Sequence, residues 1–170
     1  MNKFFFCLMG LVLICSCASE PDDPHREALE QYAKSHIEDP ESYQFDEIHL
    51  QFEYTYNTPL VEYRLKMQDY VEQPGVDLDA LRAEDNQLQV LIDELGYAKV
   101  CNEYHLWFWC KDPATGEKQQ RAVKARYDMD DNLIGIVITP DSFSENPAVR
   151  MLKDKGRLDI FSHPEWFPNK

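Results

Sequence analysis

The side chains that could do acid–base, metal or phosphate chemistry are present in this chain, but they do not fall into a recognised arrangement. The histidines at positions 25, 36, 49, 105 and 163 form no short chelate of the kind that zinc sites use. No two glycines lie two or three residues apart, which excludes a phosphate-binding loop, and no serine is flanked by glycines as a nucleophile elbow requires. We therefore expect no metal, no cofactor and no catalytic residue.

A catalytic pair of carboxylates from distant segments stays open, because spacing along the chain cannot detect it. Glu47 and Glu53 border a predicted strand, and Glu103 lies on another. Each of these side chains is expected to be solvated or to pair with a base such as Lys124 or Arg126. A small hydrolase or isomerase that uses acidic residues is therefore an alternative, and it requires a pocket with paired acids or a histidine–carboxylate pair.

Asp128, Asp130 and Asn132 reproduce the opening spacing of a calcium-binding loop. Leu133 stands where that loop needs glycine, and Thr139 stands where a closing glutamate should be. We interpret this segment as a polar hairpin turn, which needs no ion.

The best candidate for a binding surface is a row of alternate residues, His105, Trp107 and Trp109. Alternate residues of a strand lie roughly 6.6 to 7 Å apart on one face, so the two indoles could form a flat surface for a sugar ring or an apolar anchor of another protein. The commoner alternative is that the helical insertion from 58 to 95 covers this face and buries both indoles. The exposure of the tryptophans decides between the two interpretations.

The hydrophobic pattern predicts a single α+β domain over 23–170. It indicates an N-terminal helix that starts near Asp23 and stops at Asp39-Pro40, and a strictly alternating strand over 47–56. A helical insertion follows, in which 58–72 also fits a strand, whereas 77–95 is a clear helix ended by Gly96. Three further strands and a short helix from Asn146-Pro147 precede an apolar tail, which we expect to dock. The helices are expected against one face of an antiparallel sheet of about four strands.

The first hairpin after the insertion, which turns at 112–116, has a register that the sequence predicts. Pairing Asp112 with Glu117 would place Leu106 opposite Val123, and Glu103 opposite Arg126. Apolar then meets apolar and acid meets base. A helix followed by such a sheet is similar to cystatin-like and NTF2-like rolls, an analogy of fold that implies no activity.

The N-terminal residues carry a targeting signal. The apolar run from Phe4 to Ile14 holds eleven residues behind Lys3, whereas a transmembrane helix needs roughly 20. Ile14-Cys15-Ser16-Cys17, which closes this run, resembles the lipobox of bacterial lipoprotein precursors. The resemblance implies a signal peptide over 1–16, lipid on Cys17 and a cell-envelope location. Ala18 in place of aspartate implies the outer membrane. Residues 17–22 would then be a short acidic tether.

The acidic composition of the chain restricts the class of binding partner. The chain has 31 acidic and 17 basic side chains; without Lys3 the basic count is 16, and the formal charge from Cys17 onward is −15. Such a charge repels nucleic acid and favours a cationic partner.

Two cysteines, Cys101 and Cys110, remain in the domain. They lie nine residues apart on one predicted strand, which separates them by about 30 Å, too far for a disulfide. We therefore expect free thiols on opposite faces of the sheet.

Together these features predict a lipid-anchored envelope protein that binds a protein or glycan without catalysis, with His105, Trp107 and Trp109 as its surface. A narrower hypothesis is an inhibitor or immunity protein that neutralises a cationic envelope enzyme. The oligomeric state does not follow from the sequence.

Overall fold

The structure, a computed structural model, describes residues 23–168. The predicted signal peptide (1–16), the tether (17–22) and the lipid-bearing Cys17 lie outside the described residues. The domain is α+β, as the sequence predicts, with four α-helices and four strands in the described part. In chain order these are α1 (Arg26–Ser35), β1 (Gln44–Thr55), α2 (Asn57–Tyr70), α3 (Leu78–Leu95), β2 (Lys99–Lys111), β3 (Lys118–Asp128), β4 (Leu133–Ile138) and α4 (Pro147–Asp154).

The strands form one open antiparallel sheet in the order β1-β2-β3-β4. The register of the β2–β3 hairpin is the one that the sequence predicts, with Leu106 opposite Val123 and Glu103 opposite Arg126. Asp112 N donates to Glu117 O and closes the turn. Asp128 accepts the backbone N–H groups of Asp130 and Asn132 in the next turn, which confirms a polar hairpin turn there.

β1 does not alternate strictly, contrary to the sequence prediction. Its pairing with β2 shifts at Asp46 and again at Gln51, each of which is an extra residue opposite β2. The second shift reverses the faces of the residues after it. Ile48 packs in the core beside α1, whereas Phe52 pairs with Glu103 and lies on the opposite face of the sheet.

The helices do not all cover one face, which corrects another expectation. α1 packs on the inner face of the sheet through Leu29 and Ala33, over a core that includes Leu106 and Phe108. A second core joins α2, α3, α4 and the C-terminal tail, and its fully buried strand residues are Val100 and Cys101. α4 also contacts β1 and β2. The helical insertion therefore packs mainly at one end of the sheet and leaves the other end of the outer face open.

Helix signals in the insertion are confirmed. The ambiguous segment 58–72 is helical, as α2, and Leu60 and Tyr63 are fully buried in the second core. Asp77 caps α3 by accepting the N–H groups of Asp79 and Ala80. Tyr63 donates a hydrogen bond to the buried carboxylate of Glu84 on α3. This pair ties the two helices together inside the core.

The apolar tail docks as predicted. Leu158, Phe161 and Phe167 are buried in the second core, and Ser162 N donates to Glu84 Oε1 at 3.2 Å. Cys101 and Cys110 are free and buried, one in each core. No helix among residues 23–168 is both long enough and apolar enough to cross a bilayer.

Candidate functional site

The sequence-predicted row lies on the outer face of β2, but its three members differ in exposure. His105 is only 7% exposed, whereas Trp107 and Trp109 are half-buried. The helical insertion therefore does not cover the indoles completely, and they are not freely exposed either. The His105 and Trp107 rings meet edge to face with centroids 6.3 Å apart.

Phe52 joins this row because of the shift at Gln51 in β1. Its ring lies edge-on to His105, with centroids 5.9 Å apart, and 48% of the residue is exposed. We call Phe52, Trp107 and Trp109 the aromatic shelf. The strict alternation predicted for 47–56 assigns Phe52 to the same face as Ile48, and a bulge has no clear signature in a single sequence.

Polar side chains border the aromatic shelf. Glu47 lies opposite Trp107, and Lys124 lies opposite His105. Lys118 Nζ stands 4.9 Å from the centre of the Trp109 ring, within the range of a cation–π interaction. Aromatic faces beside both carboxylate and ammonium groups offer apolar contact and hydrogen bonding in one place, which suits a sugar ring or a polar-rimmed protein anchor.

A buried polar network supports the shelf from beside it. Glu103 accepts a hydrogen bond from Arg126 Nε at 2.8 Å and another from Tyr54 Oη at 3.0 Å, both at Oε2. His105 Nε2 lies 2.8 Å from Glu103 Oε1. Glu103, His105 and Arg126 are 4%, 7% and 8% exposed. The acid–base pairing that the sequence predicts from the register is thus a buried salt bridge.

The charge state of Glu103 follows from these contacts. Burial acts to raise the pKa of its carboxyl group, but the hydrogen bonds from His105, Arg126 and Tyr54 and the charge of Arg126 hold the pKa below its usual value. Burial also raises the pKa of the Tyr54 hydroxyl. Glu103 is therefore a carboxylate at neutral pH, and Tyr54 is a neutral donor.

This arrangement bears on the hydrolase or isomerase alternative. Glu103 and His105 form a histidine–carboxylate pair, as that alternative requires. However, a carboxylate with a lowered pKa is a weak base, and Arg126 and Tyr54 already bind it. Glu53, another acidic candidate, makes an ion pair with Lys99. The geometry therefore favours a structural role for the Glu103 pair.

Arg126 connects the network to the segment after β4. Sequence reasoning missed this connection. Its Nη1 donates to Glu145 O at 2.8 Å, its Nη2 donates to Tyr54 Oη at 3.1 Å, and the Phe143 ring lies 3.8 Å from its guanidinium carbon. Gly135, opposite Arg126, makes room for Phe143, because a Cβ there would lie 3.0 Å from the ring. The glycine inside an apolar strand was the available signal.

Two of the cavities in the described part of the chain lie beside helices α2 to α4, away from the shelf. The larger, about 630 Å³, lies between α2 and α3 and is lined in part by Met67, Val71 and Leu81. It holds no part of the polar network. The second, about 430 Å³, borders Arg126, Phe143 and β4. Residues 23–168 contain no group of three or more histidine, cysteine or acidic side chains placed to hold a metal ion.

Comparison with known proteins adds no relative from which a function could be transferred. No protein-family model, no curated protein and no solved structure matches the chain.

Proposed function

We propose that this protein is a lipid-anchored component of the bacterial cell envelope that acts by binding through the aromatic shelf, without catalysis. The observation that carries the proposal is the open end of the outer sheet face, where Phe52 is 48% exposed beside two half-buried indoles. Apolar surface that stays accessible beside polar groups is typical of an interaction site. The location rests on the lipobox-like residues that end at Cys17.

The rigidity of the support favours binding. Each acid, base and hydroxyl of the Glu103 network has a hydrogen-bonding partner, which fixes β1, β2 and β3 relative to one another. A preformed rigid surface loses little conformational entropy when a ligand binds. The partner is expected to be a protein or a glycan, since the acidic charge of the chain opposes nucleic acid.

Capture from envelope extract tests the binding surface. A variant with Trp107→Ala and Trp109→Ala should lose the partner that the unmodified chain retains, while its far-ultraviolet circular dichroism is unchanged. Tyr97→Ala is the matched control, because Tyr97 is an aromatic residue that is 86% exposed outside the shelf. Equal capture by the unmodified chain and the double variant would refute the shelf as the surface.

The anchor is tested separately. Globomycin, which blocks the lipoprotein signal peptidase, should cause an uncut precursor to accumulate, and labelled palmitate should mark the chain unless Cys17→Ser is present. Labelling that persists in Cys17→Ser, or no labelling of the unmodified chain, would contradict lipid attachment at Cys17.

A second candidate function uses the same surface against a cationic envelope enzyme, as an inhibitor or immunity protein. The formal charge of −14 for the whole chain favours it. Electrostatic steering predicts that the association rate with such an enzyme falls about tenfold or more between low and physiological salt. An association rate that does not change with salt would count against this candidate.

A further inference from the structure

The two edges of the sheet are protected to different degrees. The β1 edge carries three register shifts and the charged residues Asp46, Glu47 and Glu53, features that discourage pairing with another strand. β4, at the other edge, has the sequence Leu-Ile-Gly-Ile-Val-Ile and contains no charged residue. Leu133 and Ile134 are 50% and 42% exposed. β4 carries one register shift, at Ile134, and its exposed apolar edge without charged residues is a template for strand addition.

The backbone of β4 has groups available for such pairing. Thr139 N donates a hydrogen bond to Ala122 O on β3. In an antiparallel ladder the residues that hydrogen-bond to the neighbouring strand alternate, so Val137 and Gly135 also hydrogen-bond to β3. The N–H and C=O groups of Ile136 then point away from β3, towards the open edge. Within residues 23–168, β3 is the only strand beside β4. Asp141 N donates a hydrogen bond to Ile138 O, so only the part of β4 before Ile138 has free backbone groups at this edge.

A cavity beside this edge indicates which side chain an added strand would carry. It measures about 430 Å³ and lies over the outer face, where Ile134, Phe143 and Met151 supply apolar walls. The charged residues along it are Asp128, Glu145, Asp154, Arg126 and Arg150. Glu103 neutralises Arg126, and Arg150 pairs with Asp154, so the carboxylates of Asp128 and Glu145 leave negative charge in excess. A long apolar stem that ends in a cation complements these walls.

The charge of the chain also favours a strand from another protein over a strand from a second copy of this chain. Antiparallel pairing of two β4 strands would bring the acidic turn at 128–131 of one copy towards Asp141 of the other, and each copy has a formal charge of −14. A cationic segment meets no such repulsion.

We propose that the β4 edge binds an extended segment of a partner protein by strand addition, and that one Lys or Arg of this segment enters the cavity between β4 and α4. Alternate apolar residues of the segment extend the sheet, and the cationic side chain supplies specificity. This surface is distinct from the aromatic shelf, so the two proposals can fail independently.

Fluorescence anisotropy with the full chain in detergent tests the proposal. The probe is a fluorescein-labelled ten-residue peptide of alternating valine and threonine with one central lysine. The comparison peptides carry glutamate in place of the lysine, or N-methyl groups on the backbone nitrogens of one edge. Ile134→Lys places a charge on the β4 edge, and Leu50→Lys, at an equally exposed position of β1 outside the shelf, is the matched control.

We expect saturable binding of the lysine peptide, weakened at least tenfold by Ile134→Lys and by N-methylation, and unchanged by Leu50→Lys. The glutamate peptide and Asp154→Asn should each weaken binding about fivefold, as expected for one exposed charge pair. Circular dichroism of each variant shows whether it folds. Binding that tolerates Ile134→Lys or N-methylation, or no binding at millimolar peptide, would overturn the proposal. So would a dimer of the free protein that Ile134→Lys dissociates, because it would identify a second copy as the occupant.

Discussion

Replacing Glu103 with glutamine should destabilise the protein strongly, because it removes the charge that Arg126 faces inside the sheet. Arg126 Nε lies 2.8 Å from Glu103 Oε2, and both side chains are less than a tenth exposed. Removing one partner of a buried ion pair leaves the other charge unpaired, at a cost of about 3–5 kcal/mol. For a domain of this size the melting temperature should fall by roughly 10 °C.

An exposed ion pair of the same sheet provides the control. Glu53 and Lys99 join β1 to β2, as Glu103 and Arg126 join β2 to β3, but the side chains of Glu53 and Lys99 are 46% and 48% exposed. Glu53→Gln should change the free energy of unfolding by less than about 1 kcal/mol, since solvent screens such pairs. The double variant Glu103→Leu with Arg126→Met removes both buried charges and should recover most of the stability that Glu103→Gln loses.

Urea unfolding followed by circular dichroism measures all of these variants under one condition. The reasoning predicts a much larger loss for Glu103→Gln than for Glu53→Gln, with recovery in the double variant. Equal and small losses for the two single variants would refute the view that the Glu103 network fixes the strands beneath the shelf.

Three further predictions follow from the titratable groups and the tail. Because the folded-state pKa of Glu103 is lowered, its contribution to stability is present above the unfolded pKa of about 4.3 and is lost as the pH falls through the folded value. The free energy of unfolding in urea, measured from pH 7 to pH 3, should therefore depend less on pH in Glu103→Gln than in the unmodified chain. An identical pH dependence in both proteins would be inconsistent with this linkage. Burial raises the pKa of Cys101 to about 11 and also raises the pKa of Cys110. A thiol reagent at pH 8 should therefore leave both cysteines unmodified until urea is added. Rapid labelling of the folded protein would contradict their burial. Tyr63→Phe removes the hydrogen-bond donor to Glu84, so it should lower the free energy of unfolding by about 1–3 kcal/mol and expose the tail to limited proteolysis. Tyr97→Phe, at an exposed position, should do neither. An unchanged digestion pattern in Tyr63→Phe would count against the tail's dependence on Glu84.

The sequence predicts the β2–β3 hairpin well because several signals agree there. The turn at 112–116 fixes the register, alternation fixes the faces, and the Glu103–Arg126 pairing follows from both. The helix cap at Asp77 and the docking of the tail were also predictable, since capping residues and apolar runs are local signals.

The rest depends on tertiary packing, which pattern alone does not specify. The extra residue at Gln51 changes the face of Phe52, and no local feature distinguishes that bulged strand from a regular one. Whether Trp107 is covered depends on where the helical insertion packs, and it packs at the Val100 end of the sheet. The contact of Phe143 with Arg126 joins segments that only the fold brings together.

Site-specific photocrosslinking in living cells tests the central claim most directly. A photoreactive benzoylphenylalanine at position 107, on the shelf, is compared with the same residue at the exposed position 97. The account predicts a discrete crosslinked adduct from position 107 that position 97 does not give. Identical adducts from both positions, or none from position 107 in a correctly folded and anchored protein, would contradict binding through the aromatic shelf.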